Sequence, residues 1–151
     1  MSIWFRPYTL EELDGLSKDS MVEYLDIRFT EIGPDYIRAT MPADKRTWQP
    51  YGLLHGGASV TLAETLGSTG ANCVVDNSRY YCVGQEINAN HLRAVRSGRV
   101  TATARPVHIG ARSQVWEIRI EDDKGKLACI SRLTLAVVEG APPPVVGSAR
   151  P

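Results

Sequence analysis

Net charge, long apolar runs and paired cysteines are all missing from this 151-residue sequence. Seventeen basic residues balance seventeen acidic ones, so no overall field draws the chain to nucleic acid or to an anionic membrane, and any anion site has to be local. No stretch reaches the roughly 20 apolar residues that span a bilayer. The opening MSIWFRPYTLEELDGL also has no continuous apolar region of the kind that directs secretion. A cytoplasmic protein bound to neither membrane nor nucleic acid is the expectation. The three cysteines, Cys73, Cys82 and Cys129, are odd in number and far apart, with no C-x-x-C pair, and read as reduced, mostly buried thiols. Nucleotide-binding glycine patterns are absent as well. The run Gly57-Ala-Ser59-Val-Thr61 has Thr where a serine-hydrolase elbow needs its second Gly. His55, His91 and His108 are scattered and form no metal-binding pair. Neither metal nor organic cofactor is called for.

What is present describes an ordinary globular chain, 43% hydrophobic and 23% charged, long enough to bury one core without disulfides. One domain over residues 1–138 is expected, followed by a disordered tail, 139–151, containing Pro142-Pro143-Pro144 and Gly147. Thr9 followed by Glu12 is a capping-box pattern that starts a short helix. The β-prone runs 27–32 and 36–41 flank Gly33-Pro34-Asp35, where Pro34 fixes φ and Gly33 frees it, and so predict a hairpin. Residues 42–55 have no clean period and read as a long irregular loop of the kind that often carries function. Residues 56–75 are nearly uncharged and rich in small side chains, which predicts one buried helix. Gly67 and Gly70 each cost about 1 kcal/mol against Ala in a helix, a penalty explained if another backbone passes close by. Strands follow at 80–92, 99–108, 112–121 and 126–138. The connectors Ser97-Gly98, Ile109-Gly110 and Asp122-Asp123-Lys124-Gly125 read as turns joining them in an antiparallel meander. About six strands and one long helix make an α+β layout.

Glu64 is the only carboxylate between His55 and Asp76, in the middle of the segment least willing to accept a charge. A buried carboxylate costs several kcal/mol unless paired or neutralised, which makes it a candidate for function. Ser68, one helical turn on, shares its face and could hold the carboxylate or a water. His55-Gly56-Gly57 stands where the loop enters the helix, so its backbone N–H groups would point outward unpaired, as in an oxyanion hole. Gly56 would let an acyl carbonyl approach the main chain, and Gln49 could add an amide donor. Eight residues of helix hold Gly56 and Glu64 roughly 12 Å apart. They cannot share one acyl carbon unless they come from different copies of the helix, which requires at least a dimer with antiparallel helices. Between Ile87 and Trp116 there is no Asp or Glu, yet there are Arg93, Arg96, Arg99, Arg105 and Arg112 with His91 and His108. Such a patch suits the phosphates of coenzyme A or the acidic surface of a carrier protein.

The run Gln49-Pro-Tyr-Gly-Leu-Leu-His-Gly-Gly-Ala-Ser, followed by Leu-Ala-Glu64-Thr-Leu-Gly-Ser68, resembles the hotdog-fold thioesterases of the 4-hydroxybenzoyl-CoA and PaaI type. The similarity is greatest to the bacterial 1,4-dihydroxy-2-naphthoyl-CoA thioesterases of menaquinone synthesis and their enterobactin-associated relatives. It runs from about residue 8 to residue 138 and includes Val83-Gly84, Asn88-Ala-Asn-His91 and Trp116-Glu-Ile. The resemblance implies a hotdog fold, a sheet wrapped around one central helix, and hydrolysis of an aromatic or bulky acyl-CoA. It implies that Glu64 is nucleophile or general base, that the Gly56 N–H polarises the thioester carbonyl, that Gln49 and His55 orient it, and that Ser68 positions water. His91, with Gly84, Val83, Arg93, His108, Gly110 and Arg112, falls at substrate-binding positions. The family's sites are shared between two subunits, and dimers pair into tetramers. One departure is Ala111 directly after His108-Ile-Gly110, where relatives carry Arg; here Arg112 follows. Two other readings stand beside acyl-CoA hydrolysis: proofreading of an acyl- or aryl-carrier protein, and binding of acyl-CoA without cleavage. A hydratase would want a His-centred acid/base pair on the helix, which the sequence lacks.

Overall fold

The computed structural model describes residues 1–147. Thr9 starts helix α1 (Leu10–Gly15) through the reciprocal box expected of it. Its Oγ1 accepts from the Glu12 N–H at 3.2 Å, and the Glu12 carboxylate accepts from the Thr9 N–H at 2.8 Å. A single further turn, α2 (Met21–Tyr24), leads to Asp26, whose positive φ turns the chain into β1 (Arg28–Ile32). β1 pairs antiparallel with β2 (Ile37–Pro42) through the expected hairpin. Gly33 is needed there for a different reason than φ: the Tyr36 ring lies where a Cβ would stand.

The long helix is α3 (Gly56–Val74), and four strands follow it: β3 (Tyr80–His91), β4 (Arg99–Ile109), β5 (Ser113–Glu121) and β6 (Leu127–Glu139). All six strands form one antiparallel sheet in the order β1-β2-β4-β5-β6-β3. The expected four-strand meander therefore holds only for β4, β5 and β6. β4 already has β2 on one side, from Ile37 opposite Ala104 to Pro42 opposite Arg99, and β5 on the other, so β3 must pair elsewhere. It takes the free side of β6 and becomes an edge strand. Ser97-Gly98 is accordingly no hairpin turn. Gly98, at φ +80°, bends a crossover into β4, and its carbonyl accepts from the Ala43 N–H at 2.9 Å.

Alternate residues of β2, β4 and β5 are buried, the period of two that marks one covered sheet face. Met41, Val100, Ala102, Trp116, Ile118, Leu133 and Leu135 from the sheet form the core with Leu62, Ala63, Leu66 and Ala71 of α3. The two helix glycines serve this contact, although side chains rather than a backbone fill the space. A Cβ at Gly67 would stand 2.7 Å from Leu133 Cδ2, and one at Gly70 would stand 2.8 Å from the Trp116 ring. Trp116 is fully buried and stacks on Trp4, whose indole N–H donates to the Gly33 carbonyl at 2.7 Å. The three cysteines are free and buried. Burial pushes the Cys73 thiol up to about 12 and the Cys82 thiol up to about 11, so neither supplies a thiolate near neutral pH. No helix among the described residues is long and apolar enough to cross a membrane.

The loop before α3 is more ordered than its sequence suggests. Trp48 and Leu54 form an isolated antiparallel bridge, Gln49 N–H donates to the Leu53 carbonyl at 2.8 Å, and His55 N–H donates to the Thr47 carbonyl at 2.8 Å. Gly52, at φ +74°, closes the turn inside it. At the other end of the chain, Glu139 is still the last residue of β6, and 140–147 continues without helix or strand. The disorder expected of 148–151 concerns residues outside those described.

Candidate active site

Six of the candidate site residues line two separate clefts that share no described lining residue: Gln49, Gly56, His91 and Arg93 the first, Glu64 and Ser68 the second. The first, of about 420 Å³, lies at the start of α3 and is lined by Gln49, Leu53, Gly56, Ser59, His91 and Arg93, among others. His55 caps the helix: its Nδ1 accepts from the Gly57 N–H at 2.8 Å, and its carbonyl accepts from Ala58 and Ser59. Gly57 N–H is thus not a free donor, contrary to expectation. Gly56 N–H makes no hydrogen bond to any described residue and remains the open donor of this turn. The space beside Gly56 Cα is also occupied. His91, at the end of β3, places its imidazole so that a Cβ on Gly56 would stand 2.8 Å from Nε2. Gln49 accepts from the Tyr51 N–H through Oε1, which leaves its amide N–H₂ without a partner among the described residues.

The second cleft, of about 280 Å³, contains Glu64, Thr65, Ser68 and Thr69 of α3 beside Leu13, Leu16 and Val22. No hydrogen bond or ion pair reaches the Glu64 carboxylate from the described residues, and burial alone raises its pKa above the ordinary glutamate value. The carboxylate lies over Gly84 of β3, where any side chain would overlap Oε1. A β-bulge between Gly84 and Glu86 bends the strand at this point. Asn72, which the sequence reading passed over, holds the two elements together. Its side chain accepts from the Cys82 N–H at 2.8 Å and donates to the Cys82 carbonyl at 3.1 Å, fixing the strand next to Val83 and Gly84. A lone Asn in a run of small apolar helix residues was the available signal.

The basic residues do not form one patch in the chain. Arg93 lines the first cleft. Arg99 is held by Asp26 and Thr40, and Arg105 by Asp35. His108, Gly110 and Arg112 sit at the β4–β5 turn, at the opposite end of β4 from Arg99. The His108 ring folds over Gly110, and the Arg112 carbonyl accepts from the Val137 N–H at 3.0 Å. Within one chain the eleven-residue strand β4 separates the two halves of this basic group. Among the described residues no three His, Cys, Asp or Glu side chains are grouped so as to hold a metal ion.

A six-stranded antiparallel sheet wrapped on one helix, with a solitary carboxylate on that helix and an open N–H at its start, defines the hotdog class. A family model described as the Thioesterase superfamily matches residues 51–129, and the chain belongs to that family. It is a thioester hydrolase. The 1,4-dihydroxy-2-naphthoyl-CoA hydrolase of Escherichia coli strain K12 is 54% identical over 136 residues, covering 90% of this chain and 99% of that protein. A Cronobacter turicensis protein named proofreading thioesterase EntH is 50% identical over 136 residues, covering 90% of this chain and 98% of its own. The crystal structure of a thioesterase from Pseudomonas aeruginosa, a glutamine-to-alanine variant, superposes with a TM-score of 0.90 at 54% identity, covering 91% of this chain and 99% of that one.

Proposed function

We propose that the chain hydrolyses aromatic acyl-CoA thioesters to free acid and coenzyme A in the cytoplasm, at sites built from two subunits. The observation that carries this reading is the solitary Glu64 carboxylate, half-buried, without a partner among the described residues, and one turn before Ser68. In an antiparallel dimer, which the exposed β3 edge could build by continuing the sheet, the Gly56 N–H of one subunit faces the acyl group held at Glu64 of the other. The N–H, assisted by Gln49, then stabilises the oxyanion that forms as the carbonyl carbon becomes tetrahedral. Glu64, with Ser68 holding the water, takes a proton as hydroxide adds to that carbon. Collapse expels the coenzyme A thiolate, which receives the proton. Direct attack by Glu64 to give an anhydride, later hydrolysed, uses the same atoms. His91, Val83 and Gly84 flank the acyl group. Arg93, with His108, Gly110 and Arg112 from another subunit, completes the coenzyme A site in a tetramer.

The E. coli relative supports 1,4-dihydroxy-2-naphthoyl-CoA as substrate, and with it a place in menaquinone biosynthesis. The Cronobacter relatives favour a second reading, removal of misloaded groups from an aryl-carrier protein by the same residues. Turnover of one aryl group on coenzyme A and on a carrier protein separates the two. For the leading reading, a panel of aryl- and alkyl-CoA thioesters should give highest kcat/KM for the aryl members. Unchanged turnover in Glu64→Ala would defeat the proposal.

A further inference from the structure

A third cavity, of about 410 Å³, continues from the Glu64 cleft. The two share Leu16, Ser68 and Thr69, and the cavity runs on along α3 past Asn72 and Cys73 and along β3 past Tyr81, Cys82 and Val83. Tyr8 and Asn77 also line it, and the rest of its wall comes from Pro142, Pro143 and Val145. The segment that carries them is bonded to the fold at one end and lies against it at the other. Gly140 N–H donates to the Arg79 carbonyl at 2.7 Å, and Gly147, at φ +79°, lies against Asp19, where a Cβ would stand 3.3 Å from Oδ2. Residues 140–147 thus cross from the end of β6 to the connector between α1 and α2.

We propose that this segment is a strap that walls the acyl pocket and sets the enzyme's preference for large apolar acyl groups, an assignment that rests on Glu64 and Ser68 marking the reacting end. Three consecutive prolines suit such a wall. They bring no N–H that would need a partner over an apolar space, and they hold the chain extended and stiff. With the thioester carbon beside Glu64, the acyl group extends past Ser68 toward Val145. An acetyl group stops short of the strap, whereas a two-ring aryl group reaches it.

The test measures binding, so that it does not depend on the chemistry of Glu64. The S-(2-naphthylmethyl) and S-ethyl thioethers of coenzyme A, neither of which can be hydrolysed, are titrated into the full chain and into a chain ending at Ala141. The strap predicts that truncation weakens the naphthyl thioether relative to the ethyl thioether by roughly tenfold, equivalent to about 1.4 kcal/mol. Val145→Asp, which places a charge in the wall, should change the ratio in the same direction and covers the case in which the truncated chain does not fold. A ratio within about twofold of the intact chain in the folded variants, or failure of the intact chain to prefer the naphthyl thioether, overturns the proposal. Failure of the active-site reading is seen separately, in the turnover of Glu64→Ala.

Discussion

In the proposed mechanism two residues carry most of the chemistry, and each has a substitution that removes its proposed function. Burial raises the Glu64 pKa above the ordinary glutamate value, and no cation among the described residues brings it back. As a base or nucleophile it must be ionised, so kcat/KM should fall as pH drops through that raised value, at higher pH than for an exposed glutamate. Glu64→Gln should cost about 100- to 10,000-fold in turnover, the span usual for a general base. The same shift has a stability consequence of opposite sense. A carboxyl whose pKa is higher folded than unfolded favours the folded state at low pH, and that contribution is lost as pH rises through the folded pKa. Glu64→Gln should therefore raise Tm at pH 8 and gain little or nothing at pH 4, which paired melts can check. At Gly56 the relevant group is the N–H. Proline is favoured at the first position of a helix, and His55 before it is already extended at φ −67° and ψ 132°. Gly56→Pro should fold yet lose about 100- to 1000-fold in kcat, the loss typical of one oxyanion donor. Gly56→Ala keeps the N–H and presses only on the exposed His91 ring, so it should lose much less.

Among the elements, the pairing of α3 with β3 places Glu64, and Asn72 bonds to both backbone groups of Cys82 across that pairing. Asn72→Ala leaves the Cys82 N–H and carbonyl without their side-chain partner and should destabilise the fold by about 1–3 kcal/mol, measured by denaturant unfolding. An unfolding free energy unchanged within error would show that the Asn72 bonds do not hold β3 in place. The sequence made every strand and the central helix legible, because alternation in β2, β4 and β5 and the small uncharged run of α3 are local patterns. Strand order was not legible. Whether β3 pairs with β4 or with β6 depends on which edges β2 has already occupied, a long-range competition that no local pattern records. Asn72 was missed for the same reason, since its partner lies across the fold. Glu64 stood out in the sequence because a lone charge in an apolar helix is itself a local anomaly. The two glycines of α3 were legible as packing sites, but not the identity of Trp116 and Leu133 as the groups that fill them.

For the whole molecule, the decisive feature is the separation of the two clefts. One helix holds the open N–H and the carboxylate eight residues apart, roughly 12 Å, and no residue lines both clefts. The spacing was readable from the sequence, and the two clefts add that the start and the middle of the helix each have their own cavity, as the proposed two-subunit site requires. The same feature makes the central claim open to direct test. Gly56→Pro and Glu64→Gln chains, each purified and each nearly inactive alone, are mixed under conditions that exchange subunits. In a mixed dimer one site contains both defects and the other contains neither. Random exchange of equal amounts should then restore about a quarter of the wild-type activity. Activity that stays at the level of the parents after exchange has been verified would contradict the shared site and place both groups within one chain.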